Sequence, residues 1–294
     1  MELWVAFSLA SAFLQNLRTA LQRSLTLGAG VLGATYARFL YAVPWAVLLV
    51  AALVWSGAPL PRPTAAFAAW ALVGALAQIA ATLLLLRVLS LRNFAVGNTF
   101  AKTETVQSAL LGLLLLGDTI AALPLAGILV SLLGVLLLSG ERGLAGGLFN
   151  RAAGLGLASG AGFALSGIAY RAAGLALEAE GLLIRPAFTL ACVTLAQALL
   201  MGAWLVVSTP ESLAAVLRHW RIAAPIGAAG MLASLGWFAA FTLVPVALVK
   251  AVGQVELVFS WLTARFAFDE RPSLRETLAI ALVSAGILLL VLTS

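Results

Sequence analysis

Ten apolar runs, each near the length of a bilayer crossing, succeed one another along the chain. They lie at roughly 3–22, 31–56, 66–88, 94–116, 121–139, 152–174, 182–207, 222–243, 246–267 and 274–292. Few folds accept such a succession. The hydrocarbon core of a bilayer is about 30 Å thick, so a spanning helix needs roughly 20 apolar residues. In lipid every backbone N–H and C=O must be satisfied within the protein, and these runs are too long for barrel strands, so they predict helices. The expected fold is an all-α integral membrane protein with ten transmembrane helices. Composition agrees. The 294 residues are 63% hydrophobic and 10% charged, with a mean hydropathy of +1.10, whereas soluble domains are about half apolar and a quarter charged.

The breaks between runs carry turn chemistry. APLPRPT at 58–64 is proline-rich, and GERGLAGGLFNR at 140–151 is a glycine-rich link at the chain's midpoint. STPES at 208–212 reads as a helix start, with Thr209 as the cap and Pro210 in the first turn. From there to Trp220 a short interfacial helix is expected. Tight turns are expected at Gly117-Asp118 and Asp269-Glu270, with antiparallel neighbours on either side. The first run lacks a basic leader and carries Gln15, Asn16 and Arg18, so it reads as a first helix rather than a signal peptide.

Several function classes are disfavoured at this level. The net charge of +6 is spread singly between apolar runs, which fits loop charge and not a nucleic-acid face. One cysteine, Cys192, forbids an intrachain disulfide, and one histidine, His219, sits in no catalytic or metal-binding motif. No metal and no cofactor is expected, and an intramembrane enzyme is the least favoured reading. No nucleotide-binding loop occurs, so work across the membrane would draw on an ion gradient or the solute's own gradient.

The runs also repeat. At an offset of 152 residues the third, fourth and fifth overlay the eighth, ninth and tenth without a gap. Glu104 falls on Glu256, Val106 on Val258, Ser108 on Ser260, Ile128 on Ile280, Gly134 on Gly286 and Asp118 on Glu270. The second and seventh runs match more loosely through Arg38 and Arg185. Five spans per half is an odd number, so the second half enters the membrane from the other side. That is an inverted repeat, an architecture that places a solute site near the midplane between halves. The expected domains are a first five-helix repeat at 1–140, the link at 141–151 and a second repeat at 152–294.

ETVQSALLGLLLLGD and ELVFSWLTARFAFDE resemble the E-P-V-F-A…L-L-G-E signature of the EamA family, within the drug/metabolite transporter superfamily. The resemblance spans nearly the whole chain, and the signature recurs at the right helix in each half. It implies ten helices in two repeats and transport of small metabolites, often outward. The family's proline is Thr105 in one half and Leu257 in the other, which puts a proline kink in doubt.

Charge inside the fourth and ninth runs needs a reason, since a charged side chain at the bilayer centre costs roughly 2.5–3.5 kcal/mol on insertion scales. Successive helical residues turn by about 100°. Asn98 and Lys102 therefore share one face, and Glu104 lies on another. Lys250 and Gln254 share a face, with Glu256 pointing away. The expectation is that Asn98, Lys102, Lys250 and Gln254 line a solute path. Glu104 and Glu256 then brace their helices against Arg18, Arg38 or Arg171, or carry a coupling proton. The reverse assignment stays open. Gln15, Asn16 and Gln78 are further candidate solute-binding residues. Arg38 and Arg185 stand near helix starts as interface anchors or ligands, Trp237 as packing or gate, and Tyr170-Arg171 as the interfacial end of the sixth helix. GLGLASGAG at 154–162 is read as packing.

Loops after odd-numbered runs hold ten arginines and those after even-numbered runs three. The positive-inside rule then puts both termini outside, while the family resemblance implies termini inside. The function expected is a secondary transporter of small polar metabolites such as amino acids, with export favoured, in a bacterial inner membrane, as a monomer or homodimer in the lipid bilayer. A lipid flippase is the alternative.

Overall fold

The structure is a computed structural model, and it describes residues 2–89, 91, 100–138, 151–179, 181–267 and 273–294, without the side chains of 19, 20, 23, 24, 26, 27, 89, 260 and 263–267. The described chain is helical. The helices are α1 (Leu3–Leu40), α2 (Ala42–Trp55), α3 (Ala65–Leu89), α4 (Glu104–Leu116), α5 (Ala122–Leu138), α6 (Arg151–Leu175), α7 (Ile184–Ser208), α8 (Pro210–Arg218), α9 (Trp220–Leu243), α10 (Val246–Gly253), α11 (Val255–Ala267) and α12 (Leu274–Thr293). Among the described residues the one extended pairing is an isolated bridge between Arg62 and Glu178.

Helix boundaries follow from the side chains at the breaks. α1 contains Gly30 at φ 68°, a left-handed conformation open to glycine, and this divides the first two apolar runs. α4 ends at Gly117, also at φ 68°. Gly117 N–H donates to Leu113 C=O at 3.2 Å, the bond of an αL helix end, and Asp118 N–H donates to Gly112 C=O at 3.1 Å. α12 opens on a capping box. Ser273 Oγ accepts from Glu276 N–H at 3.2 Å, and Glu276 Oε2 accepts from Ser273 N–H at 2.7 Å. α8 is the short helix expected after STPES, with Pro210 in its first turn. Thr209 stands at its N-cap with φ −150°, ψ 66°, and its hydroxyl makes no capping bond.

Six helices are long and apolar enough to cross a bilayer among the described residues, and α4 and α5 are shorter apolar helices. Apolar side chains cover their outsides, with Val207 85% and Leu114 76% exposed. Water would penalise such a surface and lipid does not. The chain is an all-α membrane protein.

Packing groups the chain into two compact units. Unit 1 comprises Met1–Leu9, Ala80–Ile168 and Val244–Ser294, and unit 2 comprises Ala10–Ile79 and Ala169–Leu243. Each unit therefore draws on both sides of the midpoint, so grouping by contact cuts across the halves read from sequence pattern.

In unit 1, α5 and α12 touch backbone to backbone. A Cβ added at Gly127 would lie 2.8 Å from Gly286 C=O, and one at Gly134 would lie 2.7 Å from Ala279 C=O. As numbers rise along α5 they fall along α12, so the two helices are antiparallel. Glycine is the residue that permits this approach. In unit 2, Leu25, Tyr36, Phe39, Met201, Leu205 and Ile226 form a buried core, and Gly227 gives the same clearance to the backbone of Tyr41.

Candidate functional site

In unit 1 the helical hydrogen-bond ladder breaks at the same aligned place in each half. Before α4, Lys102 and Thr103 form a turn, with Thr103 N–H donating to Phe100 C=O at 3.2 Å. Between α10 and α11, Gln254 N–H donates to Ala251 C=O at 3.1 Å and Leu257 N–H to Gln254 C=O at 2.9 Å. These are bonds three residues back, tighter than the α-helical four. Lys102 and Gln254 are the residues that coincide at the 152-residue offset. No proline stands at either break. Thr103 helps hold the first, its hydroxyl donating to Phe100 C=O at 2.6 Å and accepting from Gln107 Nε2 at 2.9 Å.

Charges cluster at these breaks. Glu104 lies in the first turn of α4 and Glu256 in the first turn of α11, where the helix N-terminus favours a carboxylate. Lys250 lies in the last turn of α10, where the C-terminal end favours a cation. Lys102 Nζ donates to Glu256 Oε1 at 2.6 Å, and Lys250 Nζ to Glu104 Oε2 at 3.3 Å. Each lysine thus reaches a carboxylate from the other half of the sequence. The four charges sum to zero, with side-chain exposures of 28% and 20% in the first pair and 22% and 21% in the second. They are shielded from bulk water and still reachable.

This corrects the expectation that the glutamates brace against Arg18, Arg38 or Arg171. Helix-face arithmetic rightly separates Lys102 from Glu104 on one helix, but it is blind to a facing helix carrying the complement. Arg171 is used elsewhere, donating to the Phe241 C=O at 2.5 Å. Gln254 is also placed differently. It is 5% exposed, its Nε2 donates to Thr105 Oγ1 at 3.1 Å, and its Oε1 accepts from Ser131 Oγ. Both ends of the amide tie helices together, so it is not an open face beside Lys102. Asn98 lies outside the described residues.

Unit 2 holds the other candidates. Tyr170 Oη lies 2.9 Å from both Gly74 C=O and Gln78 Oε1, and Gln197 Nε2 donates to Gln78 Oε1 at 2.6 Å and to Tyr170 Oη at 3.1 Å. Tyr170 is 3% exposed, and its ring stacks on Phe238 with centroids 4.5 Å apart. The expectation that Tyr170 ends its helix at the interface is therefore wrong. α6 continues to Leu175, and the phenol is the hub of a buried network. Trp237 Nε1 donates to Gln15 Oε1 at 3.2 Å. Asn16, Arg18 and Arg38 are half-buried, and the Arg38 guanidinium sits 4.5 Å over the Phe39 ring.

With this geometry in hand, the chain was compared with known proteins. No family model matches it, and no curated protein does. A solved crystal structure is similar, with a TM-score of 0.70, 20% sequence identity and coverage of 98% of this chain and 96% of the other. At that identity the likeness concerns the fold alone.

Sequence reasoning missed Tyr170, Gln197, Thr105 and Ser131. A signal existed for Gln197, an amide at the centre of an apolar run, since such a group must be bonded when buried. Thr105 and Ser131 gave none, because a hydroxyl within a helix can satisfy itself on its own backbone. Among the described residues no cluster of His, Cys, Asp and Glu could hold a metal ion.

Proposed function

We propose that the chain is a secondary transporter of small polar metabolites, amino acids among them, working by alternating access without ATP. In this reading ten spans form two inverted five-helix repeats of the EamA kind, with export from a bacterial cell the favoured direction. The observation that carries it is the crossed Lys102–Glu256 and Lys250–Glu104 pairs at two interrupted helices. Interrupted helices with half-buried ion pairs suit a solute that exchanges for the partners. A zwitterion can present its carboxylate to a lysine and its ammonium to a glutamate, leaving no charge unpaired. A Glu104 released from Lys250 is then free to take a proton, the expected coupling ion.

The α5–α12 contacts support the inverted repeat. Gly127 against Gly286 becomes Ala279 against Gly134 when 152 is exchanged between partners, and both approaches occur. Equivalent helices in an inverted repeat must run antiparallel, as these do.

The test is uptake of radiolabelled amino acids and small metabolites into proteoliposomes of purified protein. Saturable uptake lost in Lys102→Ala is expected, with Glu104→Gln impaired chiefly when a pH gradient drives flux. Normal uptake in both variants would make the charges structural. A reporter fused to the C-terminus decides between the outside termini of the arginine bias and the inside termini of the family.

A second reading, a lipid or lipid-precursor flippase, is favoured by one feature of unit 2. A groove of about 760 Å³ is lined by Leu40, Val47, Leu48, Leu195, Leu199 and Leu217, an apolar channel of acyl-chain character. Movement of labelled lipid between leaflets, with no uptake of soluble solutes, would favour it.

A further inference from the structure

Gln254 makes contacts that its aligned counterpart cannot. At the 152-residue offset it coincides with Lys102, and each stands at a helix break in unit 1. The Gln254 amide is buried and bonded at both ends. Its Nε2 donates to Thr105 Oγ1 at 3.1 Å, and its Oε1 accepts from Ser131 Oγ. Thr105 and Ser131 are themselves buried, so these bonds are closed to water. One side chain thus joins the break between α10 and α11 to the first turn of α4 and to the middle of α5.

Shifted by 152 residues, the same contacts fall on Lys102, Leu257 and Val283. Leu257 and Val283 carry no polar side-chain atom, so neither bond has an equivalent. Lys102 donates to Glu256 Oε1 at 2.6 Å instead. That ion pair in turn maps onto Gln254 and Glu104. An amide can donate to a carboxylate, yet here the Gln254 donor is spent on Thr105 and Glu104 is held by Lys250 at 3.3 Å. The two halves therefore hold aligned positions in different bonding states.

In an inverted repeat, the two access states arise as each half takes up the conformation of the other. Under that exchange Gln254 leaves Thr105 and Ser131 and moves to Glu104, the place that Lys102 holds towards Glu256 in this state. We propose that Gln254 is a conformational latch. Bonded to Thr105 and Ser131 it holds the empty protein in the state described here, and bonded to Glu104 it belongs to the opposite-facing state. This deepens the transporter reading, on which it rests for the existence of two states, by naming the residues that bias them. The bias is one-sided because the first half has no such amide tie.

The cleanest test alters the partners and leaves the amide in place. Thr105→Val removes the acceptor of Nε2, and Ser131→Ala removes the donor to Oε1. Each leaves a buried amide atom unsatisfied in this state and costs nothing once the amide has moved to Glu104. A one-sided loss of that kind shifts the ratio of states by about tenfold. Ser131→Ala keeps the close backbone approach of Ser131 to Gly286, so the packing of α5 on α12 is preserved. Gln254→Lys should act most strongly. It buries a cation among hydroxyls in this state and gives Glu104 a partner in the other.

The readout is hydrogen–deuterium exchange of full-length protein in phosphatidylcholine nanodiscs with no solute added. Helix ends flanking the loops after odd-numbered spans form one set, and those after even-numbered spans the other. Thr105→Val and Ser131→Ala are expected to change the two sets reciprocally and in the same sense, one gaining protection as the other loses it, with Gln254→Lys shifting them furthest. Loss of protection in both sets alike would make the amide a structural tie and overturn the proposal. So would no change in either variant, or opposite senses in the two. If Gln254→Lys does not fold, the two partner variants decide. Reciprocal change in a protein that takes up no solute would sink the transporter reading alone. Saturable uptake with a uniform response to these variants would sink the latch alone.

Discussion

Unit 1 holds two lysines and two glutamates and cancels them in pairs, whereas unit 2 holds arginines in its spans and no acid there. Both units sit in a chain whose outer surface suits lipid, so both must make polarity tolerable. Unit 1 does so by opposite charge at broken helices. Unit 2 uses carbonyls, an aromatic face and a network of two amides and a phenol. Pairing leaves the cluster electrically neutral. Carbonyls and rings satisfy hydrogen bonds without bringing a charge of their own.

That contrast can be broken most forcefully at the ion pairs. Lys102→Ala leaves Glu256 shielded from water without its short partner, and a loss of about 3 kcal/mol in unfolding free energy is expected. The double variant Lys102→Glu with Glu256→Lys should recover at least half of it in a double-mutant cycle. Additive losses would mean that the pair is not coupled.

Next in size are the glycines that let backbones touch. Gly286→Ala in unit 1 and Gly227→Ala in unit 2 both push a methyl against backbone atoms that have no flexible end to yield. Each should cost about 2 kcal/mol, read as a lowered unfolding midpoint. If one is tolerated, the two units are not packed to the same closeness.

Tyr170→Phe sharpens the comparison from the side of unit 2. It removes the hydroxyl and keeps the ring stacked on Phe238, while Gln197 remains bonded to Gln78. A loss of about 1 kcal/mol is expected. A much larger loss would show that the phenol orders more of unit 2 than the two amides bonded to it.

Smallest is Gly154→Ala in α6, where an added Cβ meets nothing within 4 Å. Helix propensity should make it stabilising by about 0.5 kcal/mol. Gly160→Ala in the same stretch should instead destabilise, because its Cβ would lie 2.9 Å from Ala101 C=O. Equal behaviour of the two would remove the distinction between packed and open glycines of GLGLASGAG.

Much of the fold was legible because hydropathy and helix-ending residues are local. The third run, read at 66–88, is α3 at Ala65–Leu89, and the seventh, read at 182–207, is α7 at Ile184–Ser208. Gly117 and Pro210 mark boundaries through chemistry that acts within four residues. The breaks at Lys102–Thr103 and Gln254 were not legible, since neither has the proline that would announce it. The polar residues of the site were visible as anomalies in apolar runs. Their partners were not. Periodicity says which face of a helix a residue occupies, and the identity of the facing helix is a tertiary fact. Hence Glu256 was assigned to arginines when Lys102 holds it, and Tyr170 was read as an interfacial end when Gln78 and Gln197 surround it.

The crossed pairing also sets an order of events when the chain is made. Lys102 and Glu256 are 154 residues apart, and Glu104 and Lys250 are 146 apart. A ribosome adding about 5–20 residues per second makes the second member of each pair roughly 8–30 s after the first. During that interval Lys102 and Glu104 have left the ribosome without their counterparts. The early helices must keep these charges beside water or the insertion machinery until α10 and α11 arrive. A nascent chain stalled before Lys250 therefore carries the charges without either remedy, and quality-control proteases that survey the membrane would meet it in that state.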